Sequence, residues 1–342
     1  MEQNADQLLV TGGSGWLGRA LLRTLLAEPD AIGKAGIRVL VLPGDAQLEE
    51  PDSAERMSGD LRNPADCARL CQEAAGATLL HTAGMIHPRR TREFYDVNLV
   101  GTVNLLEAAA AAGVRRAVVV SSNSPCGANP HPDHLFDESS PYRPYMSYGD
   151  SKMRMELAAR RLHEQGELEV VILRAPWFYG PFQPPRQTAF FRMIRDGGFP
   201  LLAGGHCRRS MVYIDDLCQA LRLAATSERA AGETYWIADE RPYSMNEIVD
   251  TVEHLLETEF GQRCRHRRMR LPGIVGDLAR VADWSLQALG LYQQKIHVLS
   301  EMNLSIACSI EKATRELGYA PSVGLAEGMR RSIADVLERE AL

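Results

Sequence analysis

The chain has 342 residues, 45% of them hydrophobic and 24% charged, and a net charge of −6. This length allows one large or two smaller domains with a complete core, and the acidic balance gives no reason to expect nucleic acid or an anionic membrane as partner. No apolar run reaches the roughly 18 residues of a membrane-spanning helix, and the acidic, polar N-terminus is unlike a secretory signal. The seven cysteines are scattered. Cys67 and Cys71 lie one helical turn apart, but no second Cys or His pair completes a metal site, so no metal is expected. The cysteines read as reduced packing thiols of a cytoplasmic protein.

Residues 7–11 form a short apolar run that reads as a buried strand. Gly12-Gly13-Ser14-Gly15-Trp16-Leu17-Gly18 follows at once, and an apolar-periodic segment runs from Trp16 to about Glu28, with Pro29 past its end. Strand, glycine turn and helix in that order are the setting of a dinucleotide site. Glycines let backbone N–H groups approach a pyrophosphate, and the helix N-terminus faces its charge. Further strands are expected at 37–42, 55–58, 78–82, 116–121 and 169–173, and helices at 64–75, 93–112 and 147–165. The runs from Val39 to Leu42 and Ala117 to Val120 are apolar throughout, as strands covered on both faces must be. The alternation predicts an α/β fold, a Rossmann-type doubly wound parallel sheet, over residues 1–174.

Beyond residue 174 the pattern loosens. A short helix is expected from Thr188 to Asp196, a strand from Arg209 to Ile214, a helix from Asp215 to Ala225, a strand at Tyr235–Ala238 and a helix from Ser244 to Glu257. Ser244 and Glu247 have the spacing of a capping box. Residues 175–342 therefore read as a smaller, discontinuous substrate domain, some of whose segments return to the Rossmann sheet. The proline-rich stretch 127–145 reads as a long surface loop beside the site.

Tyr148 and Lys152 stand four apart in a predicted helix and share one face. A nearby cation favours phenolate over phenol and lowers a tyrosine pKa from its usual value of about 10. A tyrosine tuned that way passes a proton to or from a substrate oxygen near neutral pH.

Taken in order, the glycine turn, Ser58-Gly-Asp60-Leu61, Leu80-His-Thr82-Ala83-Gly84, Asn98-Leu-Val-Gly, Ser121-Ser122-Asn-Ser124, Tyr148/Lys152, Arg174-Ala-Pro176-Trp177 and Arg209–Asp216 resemble the extended short-chain dehydrogenase/reductases, the NAD-dependent epimerase/dehydratase superfamily. That group contains nucleotide-sugar epimerases and dehydratases and 3β-hydroxysteroid dehydrogenases. The resemblance implies that Gly12, Gly15, Trp16, Leu17 and Gly18 meet the cofactor first. Asp60 and Leu61 would stand at its adenine, and Thr82, Ala83 and Gly84 would line it after the fourth strand. Asn98, Tyr148, Lys152 and Pro176 complete that implied set. Ser122 is the implied catalytic serine, because the family's Ser or Thr lies five before the glycine matched by Gly127; Ser121 and Ser124 compete with it. Ser124, Trp177 and Arg209 are implied substrate contacts.

Departures from the family pattern bear on cofactor and substrate. The second strand ends at Leu42, neither the acid of an NAD enzyme nor the arginine of an NADP enzyme. Asp45 would reach the ribose from the loop, and Arg19 or Arg38 would meet a phosphate; NAD is favoured, with NADP as the alternative. Trp177 stands where nucleotide-sugar enzymes carry an asparagine that contacts the diphosphate. An indole cannot accept in its place, so the 3β-hydroxysteroid-dehydrogenase-like branch is preferred over a nucleotide-sugar 4-epimerase or keto-sugar reductase. Arg209 pulls the other way, since the matching arginine of the sugar branch grips phosphate; its other role would be an ion pair with Asp215, Asp216 or another acid. Dehydratases place an Asp-Glu pair after the catalytic residue, whereas Asn123 and Ser124 stand here, which argues for simple hydride transfer. Cys126 replaces a frequent tyrosine and would open space above the nicotinamide. A non-catalytic cofactor-binding sensor would not need Ser122, Tyr148 and Lys152 together. The resemblance also implies a small-molecule substrate and a homodimer through the helices starting near Glu93 and Ser147.

Overall fold

The computed structural model describes residues 7–27, 36–45 and 54–339. Its centre is a seven-stranded sheet, parallel at every pairing. The first six strands are β1 (Leu8–Thr11), β2 (Ile37–Val41), β3 (Ala54–Ser58), β4 (Thr78–His81), β5 (Arg116–Ser121) and β6 (Glu169–Arg174). They lie in the order β3-β2-β1-β4-β5-β6, so the direction of winding reverses between β1 and β4. Ligands of doubly wound sheets bind at the carboxyl ends of the strands flanking that reversal.

Helices α1 (Trp16–Ala27), α2 (Pro64–Leu70), α3 (Arg92–Phe94), α4 (Thr102–Ala111) and α5 (Met146–Glu164) connect these strands. The positions Glu28 and Pro29, where the sequence puts the end of α1, lie outside the described residues. One apolar layer packs α1 on Val10, Val118 and Leu173; the other packs α2, α4 and α5 on Leu9, Leu79, Val119 and Ile172. Strand side chains point alternately to the two faces, so both must be apolar.

The helix expected over 93–112 is interrupted. Between α3 and α4, Tyr95–Gly101 is π-helical. A π segment widens the turn and marks functional positions more often than chance, and Asn98 lies inside it.

Past β6 the chain builds small pairs of strands and packed helices. In order they are β7 (Trp177–Tyr179), α6 (Pro185–Arg195), β8 (Pro200–Leu202), β9 (Arg208–Arg209), β10 (Met211–Tyr213), α7 (Ile214–Thr226), β11 (Thr234–Trp236), β12 (Tyr243–Ser244), α8 (Met245–Thr258), β13 (Met269–Leu271), α9 (Gly273–Ala288), α10 (Gln294–Glu301), α11 (Glu311–Leu317) and α12 (Leu325–Arg339). β11 returns to the central sheet beside β6, and α7 covers it with Leu217 and Leu221. The single strand expected over 209–214 is two: β9 pairs antiparallel with β12 and β10 pairs parallel with β7, with buried Ser210 at the break. Ser244 caps α8 by accepting from the Glu247 N–H (3.1 Å). Glu247 does not reach back; its carboxylate takes Arg241.

Residues 127–145 are strapped down rather than free. Asn129 exchanges hydrogen bonds with Ala307, Phe136 is buried against Trp236, and the Trp236 indole donates to the Asp137 carbonyl (2.9 Å). Cys126 is buried in this same cluster, with Trp236, Phe136 and Cys308. It fills core and opens no space over a cofactor.

Candidate cofactor and catalytic site

The glycine turn is as tight as its sequence suggests. Gly12 has φ +75, and a Cβ there would stand 2.6 Å from the Ala83 amide nitrogen. A Cβ on Gly18 would stand 2.0 Å from the Gly12 carbonyl oxygen, and one on Gly15 3.1 Å from the same atom. Backbone meets backbone at each contact, so only hydrogen fits at Gly12 and Gly18, and at Gly15 a side chain would have to push its neighbour aside. Thr82 closes the second side by donating its hydroxyl to the Thr11 carbonyl (2.7 Å). The turns after β1 and β4 thus press together at the switch point. The cradle fits a dinucleotide's pyrophosphate: close backbone approach and a helix N-terminus at α1.

Trp16 and Leu17 are buried under that turn. The Trp16 indole donates to the Pro181 carbonyl (2.7 Å), and its ring packs on Phe178 at 5.0 Å. Buried Pro176 starts the segment that reaches them. Gln183 follows two residues beyond Pro181; it is buried, and its amide nitrogen has no hydrogen-bond partner. The sequence marks Gln183 only as loop, since a donor without a partner is visible only after folding.

At the end of β2, Leu42 is exposed. Asp45 accepts from the Ser14 hydroxyl (2.7 Å), which carries its carboxylate to the glycine turn. Arg38 points elsewhere, pairing with Glu55 (2.8 Å) and donating to the Leu70 and Gln72 carbonyls. It is therefore committed, and the expected phosphate role for it is withdrawn. Asp60 grips Arg62 at 2.5 Å, and that hydrogen bond holds its carboxyl below the usual range. Leu61 is buried, and its carbonyl accepts from Asn104 (3.0 Å).

Asn98 clamps the turn after β4 to α5. Its carbonyl oxygen accepts from the Met85 N–H (2.7 Å), while its amide donates to the Met85 carbonyl (3.0 Å) and to Ser151 Oγ (3.2 Å). A Cβ on Gly84 would stand 3.5 Å from Asn98 Oδ1 and 3.6 Å from Lys152 Nζ, so the three meet at one point. Lys152 is buried and donates to the Val120 carbonyl (2.9 Å). Burial lowers its pKa to about 8, against the opposing pull of Glu156. His81 is a wall, not a proton carrier. It bonds Thr11 (2.6 Å) and Thr102 (2.8 Å), and burial followed by the Lys152 charge pushes its pKa down to about 3.

Tyr148 lies in the first turn of α5, half-buried, with its ring 5.5 Å from Phe94. That turn is clamped to the end of β5, where the Tyr145 N–H donates to the Ser124 carbonyl (2.9 Å). A Cβ on Gly149 would come within 2.5 Å of the same carbonyl oxygen. Ser122 and Ser124 are both buried, with hydroxyls 3.4 Å apart, and Ser122 also donates to Asn123 (3.3 Å). Ser121 is separated from them: its hydroxyl donates to buried Glu156 at 2.5 Å.

Past the end of β6, Trp177 packs edge-on to Phe190 at 5.5 Å. Arg209 donates to the Glu301 carbonyl (2.5 Å). Among the described residues it does not pair with Asp215 or Asp216, and Asp216 instead accepts from Ser322 and Val323. Arg209 is half-buried and bound to main chain, and the charge of Glu301, another acid, opposes the downward push of burial on its pKa.

Parallel sheet, switch point and glycine cradle define a Rossmann-type dinucleotide-binding protein. Residues 8–238 match the model of the NAD dependent epimerase/dehydratase family, and the chain belongs to that family. It is 50% identical to the uncharacterized protein y4nL of Sinorhizobium fredii over 96% of this chain and 95% of that one. It is 25% identical to a UDP-glucose 4-epimerase of Vibrio cholerae, over 97% and 95%. Among solved structures it is similar to DesIV, a dTDP-glucose 4,6-dehydratase from Streptomyces venezuelae with NAD and TYD bound. That match has a TM-score of 0.75 and 26% identity, and covers 97% of each chain.

Proposed function

We propose that this protein binds NAD at the carboxyl edge of the sheet and interconverts a secondary alcohol and a ketone, with Tyr148 as acid and base. The convergence of Lys152, Asn98 and Gly84 beside the glycine cradle carries the proposal. When bound, NAD would accept or return the hydride. The chain's own residues do the rest. The backbone of Gly12–Gly18 receives the pyrophosphate, with the unpartnered Gln183 amide as a further donor. Asp45 accepts the ribose 2′-hydroxyl, which favours NAD over NADP. Lys152 supports the phenol's acidity and holds the nicotinamide ribose. Ser122 orients the substrate oxygen, since a hydroxyl both donates and accepts, and Tyr148 moves the proton at that oxygen.

Two substrate classes are compatible with Trp177 and Arg209. The apolar contact of Trp177 with Phe190 favours an unactivated alcohol, as in the 3β-hydroxysteroid-dehydrogenase-like branch. Arg209 and the nucleotide-sugar relatives favour a sugar nucleotide, handled by 4-epimerisation or keto-sugar reduction. Calorimetry with UDP, TDP and their sugars separates them, because micromolar binding selects the second. In both, Asn123 leaves no carboxylate beside Ser122, which argues against dehydration. A homodimer through the helices starting near Glu93 and Ser147, where Val100 of the π-helical segment and Leu157 of α5 stand exposed, belongs to the same proposal; a monomer at micromolar concentration contradicts it. The reaction itself is tested by Tyr148→Phe. Turnover is expected to fall about 10²- to 10⁴-fold with NAD binding retained, and undiminished turnover would refute the acid/base role.

A further inference from the structure

Helix α9 is inverted relative to an ordinary surface helix, whose apolar stripe faces the core. It buries Gly276, Ala279, Asp283 and Gln287. On the opposite side Ile274, Leu278, Val281 and Trp284 are 63%, 64%, 63% and 64% exposed, and Leu289 just past its end is 77% exposed. Spacings of four and three put Ile274, Leu278 and Val281 on one stripe with Trp284 at its edge. The inward face is fixed by polar bonds. Asp283 meets His297 (2.7 Å), Gln287 donates to Asp283 (3.0 Å), and Gln287 accepts from the Ser147 N–H (3.0 Å). Because those bonds settle the helix's orientation, the outward apolar stripe is not a misplaced core face.

Both ends of this stripe are basic. Residues 263–270 hold five arginines and no acid, in a chain whose net charge is −6. Arg268 pairs with Asp250 and Glu253, whereas Arg263, Arg267 and Arg270 are exposed and hold no ion pair among the described residues. At the other end the Thr91 N–H donates to the Gly290 carbonyl (3.1 Å) and the Tyr292 N–H to the Arg89 carbonyl (3.2 Å). Exposed Arg89 and Arg90 are thereby set beside Leu291.

We propose that this face docks on the surface of an anionic phospholipid bilayer. Helix α9 would lie in the interfacial plane with Ile274, Leu278, Val281 and Trp284 at the acyl boundary and the arginines among the headgroups. No helix among the described residues is long and apolar enough to cross a membrane, so the chain would lie on the bilayer rather than span it. Charge complementarity selects this occupant. A two-fold copy seated on the same face would bring like arginine runs toward each other. The overall negative charge conceals the patch because it averages over the whole chain.

Co-sedimentation with vesicles tests the proposal, comparing phosphatidylcholine alone with phosphatidylcholine containing phosphatidylglycerol. The wild-type protein is expected to pellet with the anionic vesicles only, and to be released as salt shortens the screening length. Leu278→Ser/Trp284→Ser and Arg267→Glu/Arg270→Glu are each expected to weaken binding at least about tenfold. All four side chains are exposed, so thermal melts of both variants should match wild type. Tryptophan emission should shift to shorter wavelength on binding, and Trp284→Phe should abolish the shift. Equal pelleting on both vesicle types, or none by folded wild-type protein, would overturn the proposal. So would a dimer, seen by light scattering, that Leu278→Ser/Trp284→Ser converts to monomer, because a second copy would then cover the face.

Discussion

Two regions on either side of the β5 carboxyl end use the same two elements for opposite ends. Ser121 and Glu156 point into the interior, where Glu156 also takes Arg174 at 2.7 Å and the Tyr142 hydroxyl at 2.8 Å. One residue past the end of the strand and one turn earlier on the helix stand Ser122 and Lys152, the residues of the proposed site. The interior set is closed around the Glu156 carboxylate, which takes all three of these donors, although Arg174 Nη1 is left without a hydrogen-bond partner. In the site set, the two serine hydroxyls meet only neighbours at 3.3–3.4 Å, long for O–H···O bonds. Adjacent positions therefore separate by direction alone: the closed set is a girder and the loose set can exchange its bonds for a substrate's.

Substitutions on the two sides should break this contrast differently. Glu156→Ala strands a buried guanidinium and is expected to cost about 3–5 kcal/mol, read as a fall in melting temperature. Ser122→Ala should lower turnover about 10²-fold while melting temperature and NAD affinity stay put. Ser121→Ala should do the reverse, losing about 1–3 kcal/mol of stability with turnover little changed, because Glu156 is left short of a donor. If the two serine variants behaved alike, the division between girder and site would be wrong. The smallest effect is in pH. Lys152 releases its proton near pH 8 when folded but near 10.5 when unfolded. At Lys152 the unfolded chain holds more protons across that window, so this group adds a rise of stability with pH, opposed by buried thiols such as Cys67 and Cys71, which burial pushes up. Denaturant titrations of wild type against Lys152→Met should therefore give the more positive slope of stability with pH in the wild type.

Much of the cofactor half was legible in the sequence, for physical reasons. Strands covered on both faces must be apolar along their length, and contacts at 2.0–2.6 Å permit only glycine at Gly12 and Gly18. Other features depend on distant partners. The π turn around Asn98 is fixed by Met85 and Ser151. The break at Ser210 arises because Arg209 and Met211 pair with different strands. Cys126 was misjudged because its packing against Trp236 and Cys308 joins residues far apart in the chain. Helix α9 lay outside the elements expected from the pattern, because the polar Asp283 and Gln287 are buried with small residues while its large apolar side chains face outward.

The account's central claim is that Ser122, Tyr148 and Lys152 surround the reacting carbon–oxygen centre. A crystal structure with NAD bound tests it most directly. The pyrophosphate should rest on Gly12–Gly18, the nicotinamide ribose should meet Lys152, and the reactive ring carbon should face the gap between the Ser122 and Tyr148 hydroxyls. A nicotinamide turned away from Tyr148, or a pyrophosphate seated elsewhere, would contradict it.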